Sequence, residues 1–392
     1  MNTLFYDSYS SAHTPEFIEF ICDAILASKN ESNSYYFLVN QKVYDQSMGL
    51  IDKNALLLST LKLILIDSEQ IKSWNDSKSV LKRSKKEIKY LHNMLENYNI
   101  EKLIFLQIDG YVIQLGSWKN MPACLKVISG ILLSPYTHMP SKMGLMDYTR
   151  RLRKKWQLTY ALKNPRLKNI YILNDENSVL ELNNLFSNRS VFSYLVDPNK
   201  QRSYQKIDIR NKFSIESEKL IILFAGGIQH RKNLVRCIQA IDRLSIHDKK
   251  SLYILIMGNC SDILLFDEIK SEIKKTRDVT FQLYNEYLST DELESCFDTS
   301  DLVLLAYSNF YSSSGILGNA AKHGKCILAT KYGVIGQITD KYKLGYLVDP
   351  FSTEDIQKGI KLFISERQDS WMRPEYIGTH THLHFGKTLI TE

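Results

Sequence analysis

The chain of 392 residues has no continuous apolar run of about 18 residues, so no membrane-spanning helix is expected. Its start, MNTLFYDSYS, has neither a basic stretch nor an apolar core, so no signal peptide is read there. Six cysteines (Cys22, Cys124, Cys237, Cys260, Cys296, Cys326) are scattered without a CxxC pair. That excludes a disulfide framework and a zinc ribbon, and reads as buried thiols in a reducing, cytoplasmic compartment. There is no low-complexity tract and no short-period repeat, which excludes a solenoid. His380, His382 and His384 alternate, yet no carboxylate or cysteine accompanies them, so they read as surface and packing residues. Acids are missing altogether between residues 150 and 168.

What is there is ordinary for a globular protein: 44% hydrophobic and 24% charged residues, in a chain too long for one core. Strand-like and helix-like stretches alternate. Thr3–Tyr6, Tyr35–Val39, Lys102–Gln107, Val127–Leu133 and Asn169–Leu173 read as strands. Glu16–Ser28, Ser79–Tyr98, Tyr148–Ala161 and Glu176–Leu185 read as helices, while residues 43–76 give no clear pattern. This alternation predicts an α/β protein with parallel sheets and right-handed crossovers. Ligands are then expected at the C-terminal ends of the strands, in a cleft between two domains.

The stretch Asn309 to Gly336 carries the most functional information. The apolar run Leu302-Val303-Leu304-Leu305-Ala306 suits a strand buried on both faces. Ser312, Ser313 and Ser314 are each able to cap the following helix. Gly315 and Gly318 let something approach the backbone, and Gly324 ends the helix. A helix N-terminus, with its free N–H groups and positive dipole end, suits a phosphate. A second segment has the same design. The strand Leu220-Ile221-Ile222-Leu223-Phe224 runs into Ala225-Gly226-Gly227-Ile228-Gln229-His230-Arg231-Lys232-Asn233 and then a helix. Glycines that admit a ligand, amides, and two cations make a cradle for a diphosphate. The bland alternative is a tight turn before a solvated helix start, and recurrence within one βα pattern argues against it.

These two segments resemble the C-terminal half of retaining GT-B glycosyltransferases of the glycosyltransferase family 4 (group 1) type. Further features agree in order: a strand ending in Met257-Gly258, the stretch Val279 to Leu283, a Ser-x-x-Glu-Leu helix start from Ser289 to Leu293, and Gly345-Tyr346-Leu347-Val348-Asp349-Pro350. The similarity covers roughly residues 215–365. It implies a GT-B fold of two Rossmann-like domains with parallel sheets facing a central cleft. Residues 1–205 would be the acceptor-binding domain, 206–370 the nucleotide-sugar-binding domain, and 371–392 a segment crossing back to the first domain through Phe385 and Leu389.

The implied activity is transfer of a sugar from a nucleotide-diphosphate sugar, UDP- or GDP-linked, to a glycan or lipid-linked acceptor in bacterial surface polysaccharide or glycoconjugate synthesis. Retention of configuration and no metal or other cofactor are implied too, and no Asp-x-Asp motif is present. Arg231 and Lys232 would neutralise the diphosphate, with Gly226, Gly227, Ser313 and the amides of Ser314, Gly315, Ile316 and Leu317. The family's Glu-x7-Glu pair falls on Tyr311 and Asn319. Asn319 would still hydrogen-bond the ribose; Tyr311 would stand beside the donor sugar without the family's charge. Gly227 occupies the place of the family's diphosphate arginine, and Arg231 would compensate. Asn285 and Tyr287 would border the base. In the first domain His138 would act near the donor sugar, and His13 with Ser11 would meet the acceptor.

Loss of both glutamates leaves a second expectation open, a non-catalytic nucleotide-sugar-binding or scaffold subunit. A GT-B epimerase is a weaker third, and no pair of acids falls where a glycosidase needs one.

Charge is uneven. Residues 1–200 hold 25 Lys and Arg against 19 Asp and Glu, and residues 201–392 hold 25 against 24. One basic cluster is Lys78, Lys82, Arg83, Lys85, Lys86 and Lys89. The other runs from Arg150, Arg151, Arg153, Lys154 and Lys155 to Lys163, Arg166 and Lys168. They read either as solvated helix faces or as peripheral contact with the anionic inner face of the cell membrane. Aromatics are not interleaved with them as in nucleic-acid binders, so no nucleic-acid partner is expected.

Overall fold

A computed structural model describes the chain except for residues 8–13, 30, 31, 53, 78, 139–144, 188, 190, 367–369 and 392. The chain divides into two compact units, Met1–Val196 with His382–Glu392, and Asp197–Thr381. The division therefore falls earlier than residue 205, and the returning segment begins at His382 rather than at 371.

The first unit holds seven parallel strands: β1 (Asn2–Tyr6), β2 (Ser34–Val39), β3 (Leu61–Leu65), β4 (Lys102–Phe105), β5 (Val127–Leu132), β6 (Leu167–Leu173) and β7 (Phe192–Leu195). Their order is β3-β2-β1-β4-β5-β6-β7. Strands of a parallel sheet are covered on both faces, which is why these segments are nearly uninterrupted apolar runs. Along β1, Leu4 and Tyr6 face a core shared with the helices Val80–Asn97 and Leu145–Ala161. Phe5 faces the opposite core, with the helix Thr14–Ser28 and Phe385, Leu389 and Ile390 of the C-terminal helix His382–Thr391. There Phe385 lies 4.8 Å from Phe17, ring to ring. The ammonium of the buried Lys102 donates to the carbonyl of Leu389 at 3.2 Å.

The second unit holds six parallel strands: β8 (Leu220–Ala225), β9 (Leu252–Met257), β10 (Thr280–Tyr284), β11 (Leu302–Leu305), β12 (Cys326–Thr330) and β13 (Gly345–Val348), ordered β10-β9-β8-β11-β12-β13. Ile222, Leu304 and Leu328 face one helical layer; Leu223, Leu305 and Ala329 face the other. In both sheets the strand order reverses direction beside the first strand of the unit. In the second sheet this reversal lies between β8 and β11. The loops that leave those two strands stand where open α/β sheets bind ligands.

Candidate active site

The two segments singled out by sequence are the loops that leave β8 and β11, so they flank the reversal point of the second sheet. They converge in space. A Cβ added at Gly226 would lie 3.1 Å from the ammonium of Lys232 and 3.4 Å from Ile316 at the start of the helix Gly315–Lys322. Gly226 has φ +80°, the left-handed region that favours glycine. Beneath it Gly258 has φ +148°, and a Cβ there would meet the Gly226 carbonyl oxygen at 2.5 Å. The backbone after β8 is pinned on both sides of Gly227. Gly226 N–H donates to Met257 O at 2.9 Å, and Ile228 N–H to Asn259 O at 2.8 Å. Gly227, between them, is exposed.

The two cations differ. Lys232, in the short 3-10 turn His230–Lys232, is only 5% exposed and donates to the Ala225 carbonyl at 2.7 Å. Its ammonium stands 5.7 Å from the ring centroids of both Phe224 and Tyr307. Burial, with a smaller effect of the neighbouring Arg231 charge, lowers its pKa to about 7. Arg231 stays half-buried, 4.4 Å from the Phe310 ring centroid and 5.7 Å from that of Tyr307, with Nε donating to Gln229 Oε1 at 2.7 Å. Tyr307 is the floor under both. Burial raises its phenol to about 12 against the Arg231 charge, which favours the phenolate, as does a hydrogen bond with the Ser314 side chain. Tyr307 and Phe310 were not read from the sequence, because an aromatic after an apolar strand looks like ordinary core.

On the facing loop, Ser314 is the N-cap residue by position, but its side chain does not cap the helix. The Ser313 hydroxyl donates to the Asp197 carboxylate. Gly315 is exposed, with nothing within 4 Å of its Cβ position. Two expectations are corrected here. Gly318 does not face open space but the Tyr376 hydroxyl and Asn199. Leu317 turns into the core, and its N–H is spent on the Ser314 carbonyl at 2.9 Å. Gly315 and Ile316 then supply the first-turn amides that a helix leaves without intrahelical partners. Asn319 is half-buried and makes no side-chain hydrogen bond to any described residue. Tyr311 is half-buried, its backbone pressed on Gly333, where φ is +65° and a Cβ would meet Tyr311 Cα at 2.7 Å. Asn285 Oδ1 accepts the Cys260 N–H at 2.7 Å and so ties the end of β10 to the loop after β9. Tyr287 is 87% exposed.

The far end of the helix Gly315–Lys322 is anchored by a buried ion cluster. Glu294 accepts from Lys322 and pairs with His323, each at 2.6 Å. Burial raises the Glu294 pKa, but the hydrogen bonds to His323 and Lys322 and their charges outweigh it, so the carboxyl lies below its usual range.

In the first unit, His138 follows β5. Its Nε2 lies 2.7 Å from Asp175 Oδ2 and 3.3 Å from Ser178 Oγ. Asp175 is buried and caps the helix Glu176–Leu185 by accepting the Ser178 N–H at 3.0 Å. Burial raises its pKa, and the hydrogen bonds and charge from His138, with Ser178, bring it below normal. Asp175 was missed; its Asp-x-x-Ser cap spacing was the available signal. His13 and Ser11 lie outside the described residues, as does Lys78. Among the described residues no group of three His, Cys, Asp or Glu is placed to hold a metal ion. His380 is buried, stacked 4.0 Å from the Tyr376 ring, and His382 lies 3.5 Å from Asp23. Cys237 and Cys296 are raised by burial to about 12, as inert interior thiols.

Residues 205–378 match the family described as glycosyl transferases, group 1. No curated protein matches the chain in sequence. Among solved structures, WaaG, a glycosyltransferase involved in lipopolysaccharide biosynthesis, is 13% identical over 100% of this chain and 96% of its own, with TM-score 0.61. HepE of Anabaena, solved in complex with UDP and glucose, is 11% identical over 100% and 98%, with TM-score 0.64. An E. coli trehalose-6-phosphate structure bound with UDP-2-fluoro glucose is 10% identical over 100% and 98%, with TM-score 0.65. At these identities the structures establish the fold. The chain has the two-sheet α/β fold of GT-B glycosyltransferases, and its residues 205–378 match the group 1 glycosyltransferase family.

Proposed function

We propose that the protein transfers a sugar from a nucleoside-diphosphate sugar, UDP- or GDP-linked, to a glycan or lipid-linked acceptor, with retention and without a metal. The observation that carries this is the convergence of the Gly226 turn, Lys232 and the Ile316 helix start at the reversal point of the second sheet. HepE and the E. coli structure, both GT-B relatives in fold, were solved with UDP or a UDP-sugar, which supports the choice of donor.

In this reading the diphosphate lies between Gly227 and the first-turn amides of Gly315 and Ile316. Arg231, backed by two aromatic faces, offsets charge as the C1–O bond to the β-phosphate breaks. The new bond joins an acceptor hydroxyl oxygen to C1, and the hydroxyl proton leaves to the departing phosphate oxygen. Lys232 is poised by burial to gain its full charge when the anion arrives. Asn319 hydrogen-bonds the ribose, and Asn285 and Tyr287 border the base. In the first unit, His138, oriented by Asp175, acts on a sugar hydroxyl or the leaving oxygen. The acceptor site includes Ser11 and His13. The protein works in the cytoplasm, at the inner face of the membrane, in surface polysaccharide or glycoconjugate synthesis.

The test is release of nucleoside diphosphate from a panel of nucleotide sugars, in EDTA, with a membrane lipid extract or oligosaccharides as acceptor, followed by assignment of the product anomer. Release that needs acceptor, resists EDTA, gives the donor's anomer and is lost in Lys232→Met supports the proposal. Tyr311 and Asn319 in place of the family's glutamates favour a second reading, a binding subunit without turnover. Tight nucleotide binding with no release under any condition would establish that reading instead.

A further inference from the structure

The helix Leu145–Ala161 exposes large apolar residues in a pattern. Tyr148 is 53% exposed, Leu152 47% and Trp156 58%. At successive steps of four they form one stripe along the helix. Trp156 stacks on Tyr160 at 5.6 Å with the rings nearly parallel, which extends the stripe by a turn. By helical position Lys155 borders the stripe on one side and Arg153 on the other, both exposed. The inward side of this helix is already served, with Leu158 and Ala161 in the core. The stripe is therefore additional to what folding requires.

A second exposed apolar pair has the same setting. Val80 (58% exposed) and Leu81 (48%) begin the helix Val80–Asn97, followed by exposed Lys82, Lys85 and Lys89. The short helix Val112–Ser117 joins the two. Gln114 donates to the Leu81 carbonyl at 2.8 Å, and Gly116 is pressed on the Tyr160 backbone. Both long helices also begin at the same rim of the sheet. Each is followed by a loop at the N-terminal edge of the sheet: the Asn2 side chain at the start of β1 donates to the Tyr98 carbonyl, and Ile128 N–H near the start of β5 donates to the Arg166 carbonyl. Their first turns therefore stand at the C-terminal rim, where parallel sheets receive substrate. Lys154 marks the level, donating to the carbonyl of Ser134 just past β5 at 2.8 Å.

We propose that this rim docks the first unit on an anionic lipid bilayer, with Tyr148, Leu152 and Trp156 in the interface and the flanking cations on the headgroups. Aromatic and aliphatic residues edged by Lys and Arg are the composition of interfacial helices. Leu152, Val80 and Leu81 can neither stack on bases nor hydrogen-bond, so the patch suits lipid better than nucleic acid. It rests on the transferase reading only in its consequence, that the acceptor is lipid-linked and presented at this rim.

The test is sedimentation of the full chain with vesicles of phosphatidylcholine alone or mixed with phosphatidylglycerol, at low and high salt. Binding is expected for the anionic vesicles only and to weaken with salt. Paired Leu152→Ser and Trp156→Ser substitutions should weaken it by about tenfold or more. Each of Arg153→Gln and Lys155→Gln should weaken it by roughly fivefold. Brominated lipid should quench wild-type fluorescence more than that of Trp156→Phe. Unchanged thermal midpoints and unchanged nucleotide binding in these variants show that folding and the donor site are intact. Loss of nucleotide binding in the wild type would count against the transferase reading and not against docking. No vesicle binding overturns the proposal. So does binding that ignores the apolar substitutions, or retention on heparin or RNA without vesicle binding.

Discussion

Lys232 carries a testable conflict between stability and function. Its ammonium is nearly buried, held by one carbonyl and two aromatic rings, and titrates at about 7 in the fold. The unfolded chain, with an ordinary lysine, binds this proton up to about pH 10.5. Between those values the unfolded state holds more protons, so stability rises with pH across the window, and below about 7 the full cost of a buried charge is present. A shift of this size is worth on the order of 5 kcal/mol between the two protonation states. Lys232→Met is expected to raise the thermal midpoint at pH 6 and to lose most of that advantage by pH 9, as scanning calorimetry would read. A destabilised variant at pH 6 would contradict the burial argument. Diphosphate binding near pH 8 should also draw in a proton, seen as a dependence of calorimetric heat on the buffer's ionisation enthalpy. Gly258→Ala should be severely destabilising, several kcal/mol by denaturant titration, since both its φ and the Gly226 carbonyl exclude a Cβ. At this scale the sequence disclosed the glycines and the cations, because a strand-to-helix turn marks itself with such residues. It hid Tyr307, Phe310 and Asp175, whose roles depend on partners distant in sequence.

Single elements can be judged by what holds them. The helix Gly315–Lys322 is short and has no side-chain cap at its first residue, so its position depends on the Glu294 cluster at the other end. Glu294→Gln would leave Lys322 as a buried, uncompensated charge and should cost about 3–5 kcal/mol. Because the Glu294 pKa lies below its unfolded value, its stabilisation is present above that unfolded value and is lost as pH falls through the folded one. The difference between wild type and Glu294→Gln in urea should therefore shrink toward acid pH. The C-terminal helix His382–Thr391 is equally tied to the first unit, and Phe385→Ala should cost about 3–5 kcal/mol through the cavity it leaves against Phe17 and Phe20. Long elements with strong periodicity were legible within a few residues, as with Glu16–Ser28 against the observed Thr14–Ser28. Residues 43–76 were not. They hold the short helices Gln41–Ile51, Ala55–Thr60 and Ser68–Asn75 around the edge strand β3, where Lys62 and Leu65 are exposed and the apolar signal of a buried strand is broken.

For the whole molecule, two parallel sheets, each with a reversal of strand order, supply two sets of C-terminal rims. The second sheet concentrates glycine, cations and helix N-termini at its reversal, where the proposed function puts the diphosphate. The first sheet has a basic, apolar-edged rim, where the further proposal puts the lipid surface. The α/β class was legible because doubly covered strands must be apolar throughout. The unit boundary was less so, since Asn199, ahead of the boundary expected at residue 205, already packs within the second unit and donates to the Gly318 carbonyl at 2.7 Å.

The measurement that bears most directly on the donor site is thermal shift of the full chain against UDP, GDP, ADP, TDP and CMP, with and without EDTA, for wild type and Lys232→Met. A ligand at 100 times its dissociation constant adds ~2.7 kcal/mol of stability, enough to move the midpoint by a few degrees. One nucleoside diphosphate should raise the wild-type midpoint, keep its effect in EDTA, and fail to shift the variant. No shift with any diphosphate, or an equal shift in Lys232→Met, would contradict the site described here.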